Sequence, residues 1–260
     1  MCAFLKRTAP GFAAGFIAGV LLTYFAMCHG LGPNAFTLLG FQFRLPGCRI
    51  SQTSTPTPPV PTPTGTGTPS LSRRSFYPLP TGGELLNLGC LDWTLCRTAR
   101  DANSRRTSLI SGTVGASLNT PREYLIQRVF LFFDTSQIPD DALIQSASLR
   151  LCSIGQPIGT PTVHLVQSTA SDSFSLEDFD RVGSESGGSI TFSLPNQCLD
   201  LAFGPTALQW ITSSGVTKIA IVHDFDVTNT VPVVQNLVVI ALPDDPEYRA
   251  RLDVTFYVDR

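Results

Sequence analysis

The residues best suited to chemistry are four consecutive positions after an apolar stretch, His223, Asp224, Phe225 and Asp226. An imidazole and two carboxylates bind cations and hydrogen-bond to sugar hydroxyls, so His223, Asp224 and Asp226 are candidate ligand-binding residues. The alternative interpretation is a turn that ends a strand, because Asp side chains often bond to nearby backbone N–H groups in turns.

A second acidic cluster comprises Glu177, Asp178 and Asp180. Carboxylate oxygens are the ligands that calcium prefers. Ser175, three residues before Asp178, equally fits the cap of a short helix. We therefore expect no cofactor and no metal centre, and a structural calcium ion stays open as an alternative.

Sugar recognition needs exposed aromatic rings with polar neighbours. The candidates outside the N-terminal region are Trp93, Tyr124 and Tyr77, and each of them is also a candidate core residue. Trp93 in particular lies between two cysteines, Cys90 and Cys96, and we expect it to be core.

Motifs of common hydrolases, Gly-x-Ser-x-Gly and His-Glu-x-x-His, are absent from the sequence. Of the two histidines beyond residue 85, His164 lies in an alternating stretch and is expected to be an ordinary strand residue. We expect that the chain is not an enzyme.

The cysteines indicate disulfides if the domain lies in an oxidising compartment. Cys90 and Cys96 are close enough to close a small loop, and Cys152 and Cys198 lie at the ends of expected strands. Connectivity does not follow from spacing, so the alternative of buried free thiols stays open. Cys48 is left unpaired and is a candidate for linking two copies of the chain.

The elements that must position these residues are short strands. Apolar and polar residues alternate in several stretches, which is typical of half-buried strands. The expected strands are Gln127–Phe133, Leu143–Cys152, Thr162–Gln167, Ser189–Leu194, Cys198–Phe203, Thr217–His223, Asn236–Leu242 and Arg251–Val258. A helical piece at Gly204–Gly215 interrupts them, with Trp210 packed on the sheet. This pattern predicts an all-β fold, an antiparallel β-sandwich or barrel.

The stretch Arg128–Pro139 (RVFLFFDTSQIP), followed by Ile144–Leu151 (IQSASLRL), resembles the DNRLRE-type β-sandwich domains of secreted and surface proteins. Later segments, including Leu176–Gly183, Ala207–Thr217 and Arg251–Tyr257, extend the resemblance to the C-terminus. The resemblance implies a jelly-roll-like antiparallel sandwich over residues 85–260. It also implies carbohydrate-binding or adhesive relatives, some of which bind polysaccharides.

Charge is divided along the chain. Residues 1–84 carry six Lys or Arg and one Glu, whereas residues 85–260 carry twelve Lys or Arg and nineteen Asp or Glu, a net charge of −7. An acidic domain argues against nucleic acid as a partner, because neutralising phosphates needs clustered basic residues.

A membrane signal precedes the acidic domain. Gly11–Cys28 is an apolar run of 18 residues that follows Lys6 and Arg7, close to the roughly 20 residues that span a bilayer as a helix. The positive-inside bias predicts a single-pass protein with its N-terminus in the cytoplasm and its C-terminal domain outside the cell membrane. The alternative is a cleaved signal peptide, whose apolar region is usually shorter.

The remaining organisation follows from composition. We expect a cytoplasmic tail at 1–9, a signal-anchor helix at 10–28, an apolar juxtamembrane segment at 29–50, a Thr/Pro-rich linker at 51–84 and the sandwich at 85–260. Within the expected span, the four-residue spacing of three glycines places them on one helix face, where a partner helix can approach closely. These glycines are Gly11, Gly15 and Gly19.

Together these features predict a membrane-anchored, surface-displayed sandwich for binding or adhesion, with a carbohydrate or cell-surface polymer as ligand. The alternative is an accessory subunit of a membrane assembly, docked through the span and the sandwich. Homo-oligomers through the span or Cys48 are compatible with both.

Overall fold

A computed structural model describes residues 69–106, 110–119 and 122–258, together with the backbone of two short strands. These strands, Ala35–Leu38 (β1) and Phe41–Arg44 (β2), pair antiparallel. They belong to a unit that is distinct from the one formed by Thr64–Arg260.

Twelve further strands form the second unit within the described residues. They are Ser70–Phe76 (β3), Gly83–Cys90 (β4), Ser104–Arg106 (β5), Ser111–Asn119 (β6), Glu123–Asp134 (β7), Leu143–Cys152 (β8), Thr162–Ser168 (β9), Val182–Thr191 (β10), Cys198–Ala202 (β11), Val216–His223 (β12), Asn236–Ala241 (β13) and Arg251–Val258 (β14).

The strands form two antiparallel sheets. The large sheet runs β10-β9-β12-β7-β4-β5, with β6 and β13 branching from β7, and the small sheet runs β11-β8-β14-β3. β7 is long enough to pair with β12 along its C-terminal half and with β6 along its N-terminal half. The expected all-β, antiparallel sandwich is confirmed.

The core lies between the two sheets. In β7, alternate residues such as Val129, Leu131 and Phe133 are buried there against Leu149 of β8 and Leu252 of β14. Their removal from water is the main favourable term for this packing, at about 25 cal/mol per Å² of apolar surface.

A second apolar cluster covers the other face of the large sheet. Phe130 and Phe132 of β7 point to this face and pack against Phe174 from the connection after β9. Because both faces of β7 are covered, its sequence is apolar at consecutive positions instead of alternating.

Three short helices and one 3₁₀ turn occupy the connections. They are Trp93–Arg97 (α1), Pro205–Leu208 (α2), Asp224–Val227 (α3) and the 3₁₀ turn Leu176–Asp178. As expected, Trp210 after α2 packs into the core.

Both expected disulfides are present. Cys90–Cys96 closes the loop that carries α1, and Cys152–Cys198 joins the directly paired ends of β8 and β11.

The sandwich begins earlier than the expected boundary at residue 85. β3, which lies inside the expected linker 51–84, forms seven register pairs with β14 and contributes Phe76 to the core. The reason is that β3 is an edge strand with little buried surface, so its sequence, SLSRRSF, carries a weak apolar pattern.

Candidate functional site

A groove with a volume of about 490 Å³ lies on the outer side of the small sheet. Its lining combines three arginines, two tyrosines and one glutamate with smaller residues, from β8, β11, β14, the residue after β3 and the segment before β14. The lining residues are Tyr77, Arg150, Cys152, Cys198, Pro246, Glu247, Tyr248, Arg249 and Arg251.

Strand alternation explains why arginines face the groove. Arg150 lies between buried Leu149 and Leu151 of β8, and Arg251 precedes buried Leu252 of β14. Side chains at successive strand positions point to opposite faces, so both arginines point away from the core.

The register sets two positive charges side by side. Arg251 and Arg150 are directly opposite each other on neighbouring antiparallel strands. Like charges at such positions repel each other, which favours the binding of an anion between them.

Only one of these two arginines is neutralised by a carboxylate. Arg251 donates hydrogen bonds of 3.1 and 2.8 Å from Nε and Nη2 to Asp253, and these bonds raise the pKa of the Arg251 guanidinium. Burial disfavours the charged form of Asp253, but bonds from Ser75 and Arg251 outweigh this effect and lower its pKa.

Arg150 and Arg249 have no hydrogen-bonded or ion-paired acidic partner among the residues that the structure describes. Asp200 is directly opposite Arg150 in the register, yet no ion pair forms between them. Two guanidinium groups therefore keep donors available to a ligand.

The guanidinium of Arg249 is held over the ring of Tyr77, with 3.7 Å between its central carbon and the ring centroid. This cation–π contact fixes the charge in place while its N–H edge stays free. Tyr77 itself is 42% exposed, so it is also available to a ligand.

The loop before β14 is held by Asp245, whose carboxylate accepts backbone N–H groups of Glu247 and Tyr248 at 2.9 and 2.7 Å. These two bonds form a turn at Asp245, in which an aspartate side chain accepts from backbone N–H groups two and three residues ahead. It also holds Tyr248 and Arg249 in the wall of the groove before any ligand binds.

The acidic cluster predicted at residues 223–226 is distributed over three separate contacts. His223 is buried and caps α3 through Nδ1, which accepts from the N–H of Phe225 at 3.0 Å. Asp226 is buried against Arg128, and Asp224 is bonded to His164. The structure places these side chains in internal hydrogen bonds and not around one open site.

Burial is the strongest influence on the pKa of the His223 imidazole. It lowers the pKa of the imidazole, while neighbouring Asn236, Asp224 and Asp226 act in the opposite direction.

The structure also places the predicted aromatic residues. Trp93 is only 4% exposed and packs edge-on against Tyr124, with 5.8 Å between ring centroids. Tyr124 is half-buried and Tyr77 lies in the groove, so Tyr77 is the accessible residue of the three.

Of the predicted calcium ligands Glu177, Asp178 and Asp180, Asp178 caps the 3₁₀ turn, and Asp180 lies 3.8 Å from Nε of Arg181. Asp178 accepts hydrogen bonds from the backbone and hydroxyl groups of Ser171 and Ser175. Within the described ranges, no group of three or more His, Cys, Asp or Glu side chains is arranged to hold a metal ion.

The predicted span and its glycines, Gly11, Gly15 and Gly19, lie outside the described residues, as does Cys48. No helix in the described part of the chain has the length and apolar character needed to cross a membrane.

Sequence reasoning did not select Arg150, Tyr248, Arg249 or Arg251. The only signal was indirect: Arg150 and Arg251 stand at polar positions of alternating strands, where exposed arginine is ordinary. Their convergence depends on register.

Comparison with known proteins adds little. The sequence matches no protein-family model and no curated protein. Among solved structures, the cryo-EM structure of Mud crab tombus-like virus aligns with a TM-score of 0.27 and 12% sequence identity, over 82% of this chain and 92% of that chain. This likeness is too distant to indicate a function.

Proposed function

We propose that the chain is a membrane-anchored, surface-displayed binding module that takes an anionic polymer, foremost a polysaccharide, into the groove lined by Tyr77, Arg150 and Arg249. The observation that carries the proposal is the pair of guanidinium groups without acidic partners beside an exposed tyrosine. The apolar run at Gly11–Cys28 supports the anchor and the extracytoplasmic location.

The chemistry of the groove fits such a ligand. The planar fork of arginine binds carboxylate or sulfate groups through two parallel hydrogen bonds. Arg249 covers one face of the Tyr77 ring, and the exposed remainder of the side chain offers apolar contact and a hydroxyl to a sugar. The resemblance to DNRLRE-type domains, with a jelly-roll-like fold and polysaccharide-binding relatives, supports the same assignment.

Binding of the full chain in detergent micelles to immobilised polysaccharides tests this proposal. We expect retention on acidic polymers such as polygalacturonate or dextran sulfate, weakening as salt rises. Replacing Arg150→Gln or Arg249→Gln should weaken binding about tenfold or more, the loss typical of a charge-assisted hydrogen bond.

Arg100→Gln provides the matched control, because Arg100 is an exposed arginine of the α1 connection that does not line the groove. Equal losses in all three variants would indicate non-specific attraction and contradict the proposal, as would failure to bind any polymer.

A second function, an accessory subunit of a membrane assembly, has a separate observation in its favour. The disulfide-closed loop exposes Leu91 and Leu95, at 80% and 72%, and the connection before β13 exposes Val233 at 77%. Exposed apolar side chains of this kind often mark protein contacts. Purification in mild detergent as a monomer without partners would remove this alternative.

A further inference from the structure

Three side chains on the outer face of the large sheet form a continuous hydrogen-bonded chain. Nδ1 of His164 lies 2.8 Å from Oγ of Ser186, and Nε2 of His164 lies 2.9 Å from Oδ1 of Asp224. The imidazole thus bridges a hydroxyl and a carboxylate, as in nucleophilic serine sites, but with the roles of Nδ1 and Nε2 exchanged relative to the Ser-His-Asp triad of serine proteases.

Three different elements bring these residues together. His164 alternates with core residues Val163 and Leu165 in β9, so it points to the outer face. Asp224 opens α3 directly after β12, whose Val222 is the register partner of His164. Ser186 comes from neighbouring β10.

Ser186 lies at an irregular point of its strand. The register of β10 against β9 shifts on both sides of Ser186, and its hydroxyl contacts both backbone groups of Gly188. The serine is exposed, whereas the His164 side chain is only 13% exposed. A reagent can therefore reach the hydroxyl while the imidazole is largely shielded.

The carboxylate of Asp224 determines which ring nitrogen of His164 carries the proton. Asp224 accepts a hydrogen bond from Nε2–H, which leaves the lone pair of Nδ1 directed at the Ser186 hydroxyl. In this tautomer His164 is oriented as a general base toward Ser186.

A small pocket of about 140 Å³ is formed by the same strands and helices, although none of the three hydrogen-bonded residues lines it. Val222 lines it, as do Gly183 and Ser184, which lie two to three residues before Ser186. Its charged lining residues are Arg97, Arg128 and Asp226. Arg97 lies 3.8 Å from the carboxylate of Asp226 in this lining, so the pocket carries a paired cation and anion.

We propose that Ser186, His164 and Asp224 form a serine-nucleophile site that acts on small acyl esters, an activity separate from polymer binding. Oγ of Ser186 bonds to the ester carbonyl carbon while its proton passes to Nδ1 of His164. The bond to the leaving alkoxide then breaks, and the alkoxide takes that proton to leave as an alcohol. Water, deprotonated by the same imidazole, releases the acid and restores Ser186.

Labelling of the full chain with a fluorophosphonate, followed by peptide mass mapping, tests this site. We expect modification at Ser186, loss of that modification in Ser186→Ala, and a rate about a hundredfold lower in His164→Gln, as for removal of a general base.

Ser189→Ala is the matched control, because Ser189 is an exposed serine of the same strand and the register partner of His164. Its labelling rate, and its hydrolysis of p-nitrophenyl acetate, should equal those of the wild type. Wild-type protein that is unlabelled, or labelled at another residue, would overturn the proposal. So would a Ser186 rate that is unchanged in His164→Gln.

Discussion

At the scale of single residues, Arg128 is the most connected side chain that the structure describes on the outer face of β7. It is buried and forms two hydrogen bonds, of 2.7 and 2.9 Å, with the carboxylate of Asp226 in α3. It also donates to the carbonyls of Phe179 and Arg97 and stacks on the Phe179 ring. One guanidinium thus ties the connection after the 3₁₀ turn, α1 and α3 to the large sheet.

Replacing Arg128→Met should lower the free energy of unfolding by about 3 kcal/mol, because the buried carboxylate of Asp226 loses both hydrogen bonds and keeps only the 3.8 Å contact with Arg97. Urea denaturation measures this loss. The double variant Arg128→Met with Asp226→Leu should recover part of it, since the unpaired charge is then gone. If the single variant loses less than about 1 kcal/mol of unfolding free energy, water has reached the Asp226 carboxylate and replaced its partner.

Asp178 predicts a pH dependence of stability. Burial disfavours its charged form, but hydrogen bonds from Ser171 and Ser175 outweigh that effect and lower its pKa. A lowered folded-state pKa stabilises the fold above the unfolded value of about 3.9, and this contribution is lost as pH falls through the folded pKa.

Unfolding followed from pH 6 down to pH 2 should therefore show a steeper fall in stability for the wild type than for Asp178→Asn. Asp180→Asn, an exposed neighbour, is the control and should keep the wild-type slope. Identical slopes for wild type and Asp178→Asn would contradict this role.

At the scale of elements, the two disulfides constrain loops of very different length. Cys152–Cys198 spans 46 positions and pins the edge strand β11, whereas Cys90–Cys96 spans 6 and holds α1. The loss of chain entropy on cross-linking grows with the logarithm of loop length.

Removing each pair as a double Cys→Ala variant should therefore cost about 4 kcal/mol for Cys152–Cys198 and about 2 kcal/mol for Cys90–Cys96. Thermal unfolding of the two variants and the wild type under oxidising conditions shows which disulfide contributes more to stability. The reverse order would show that the short bridge is needed for the packing of Trp93 over Tyr124.

The strands differ in how well they can be predicted from their sequences. Each of the eight strands expected from Gln127 onward overlaps an observed strand, because alternation or a long apolar run marks strands that pack on the core. The strand expected at Ser189–Leu194 instead runs from Val182 to Thr191. β4, β5 and β6 were not expected. β6, SGTVGASLN, contains two glycines and two serines, which are typical of turns, yet lies buried between β7 and β13.

At the scale of the whole molecule, the position of β3 defines the folded unit. A fragment starting at residue 85 lacks β3 and also Glu84, whose buried carboxylate accepts from the backbone of Thr113 and the side chain of Gln127. β14 would then be an exposed edge strand.

We expect fragment 69–260 to unfold cooperatively with the stability of the same region in the full chain. Fragment 85–260 should unfold at lower denaturant concentration or aggregate. Denaturation of both fragments followed by tryptophan fluorescence provides the comparison. Equal midpoints would show that β3 contributes little to the sandwich.

The sequence by itself determined the fold class, most core strands and the capping of the turn at Ser175. All of these depend on local spacing, since strand alternation, caps and turns are properties of neighbouring residues.

Only the tertiary structure decided which polar residues meet. Arg150 and Arg251 are 101 positions apart, and His164 and Asp224 are 60 apart, so their contacts arise from register and strand order. The same strand order buried Trp93 and bound Asp226 to Arg128. No local pattern specifies such pairings, because they depend on which strands become neighbours.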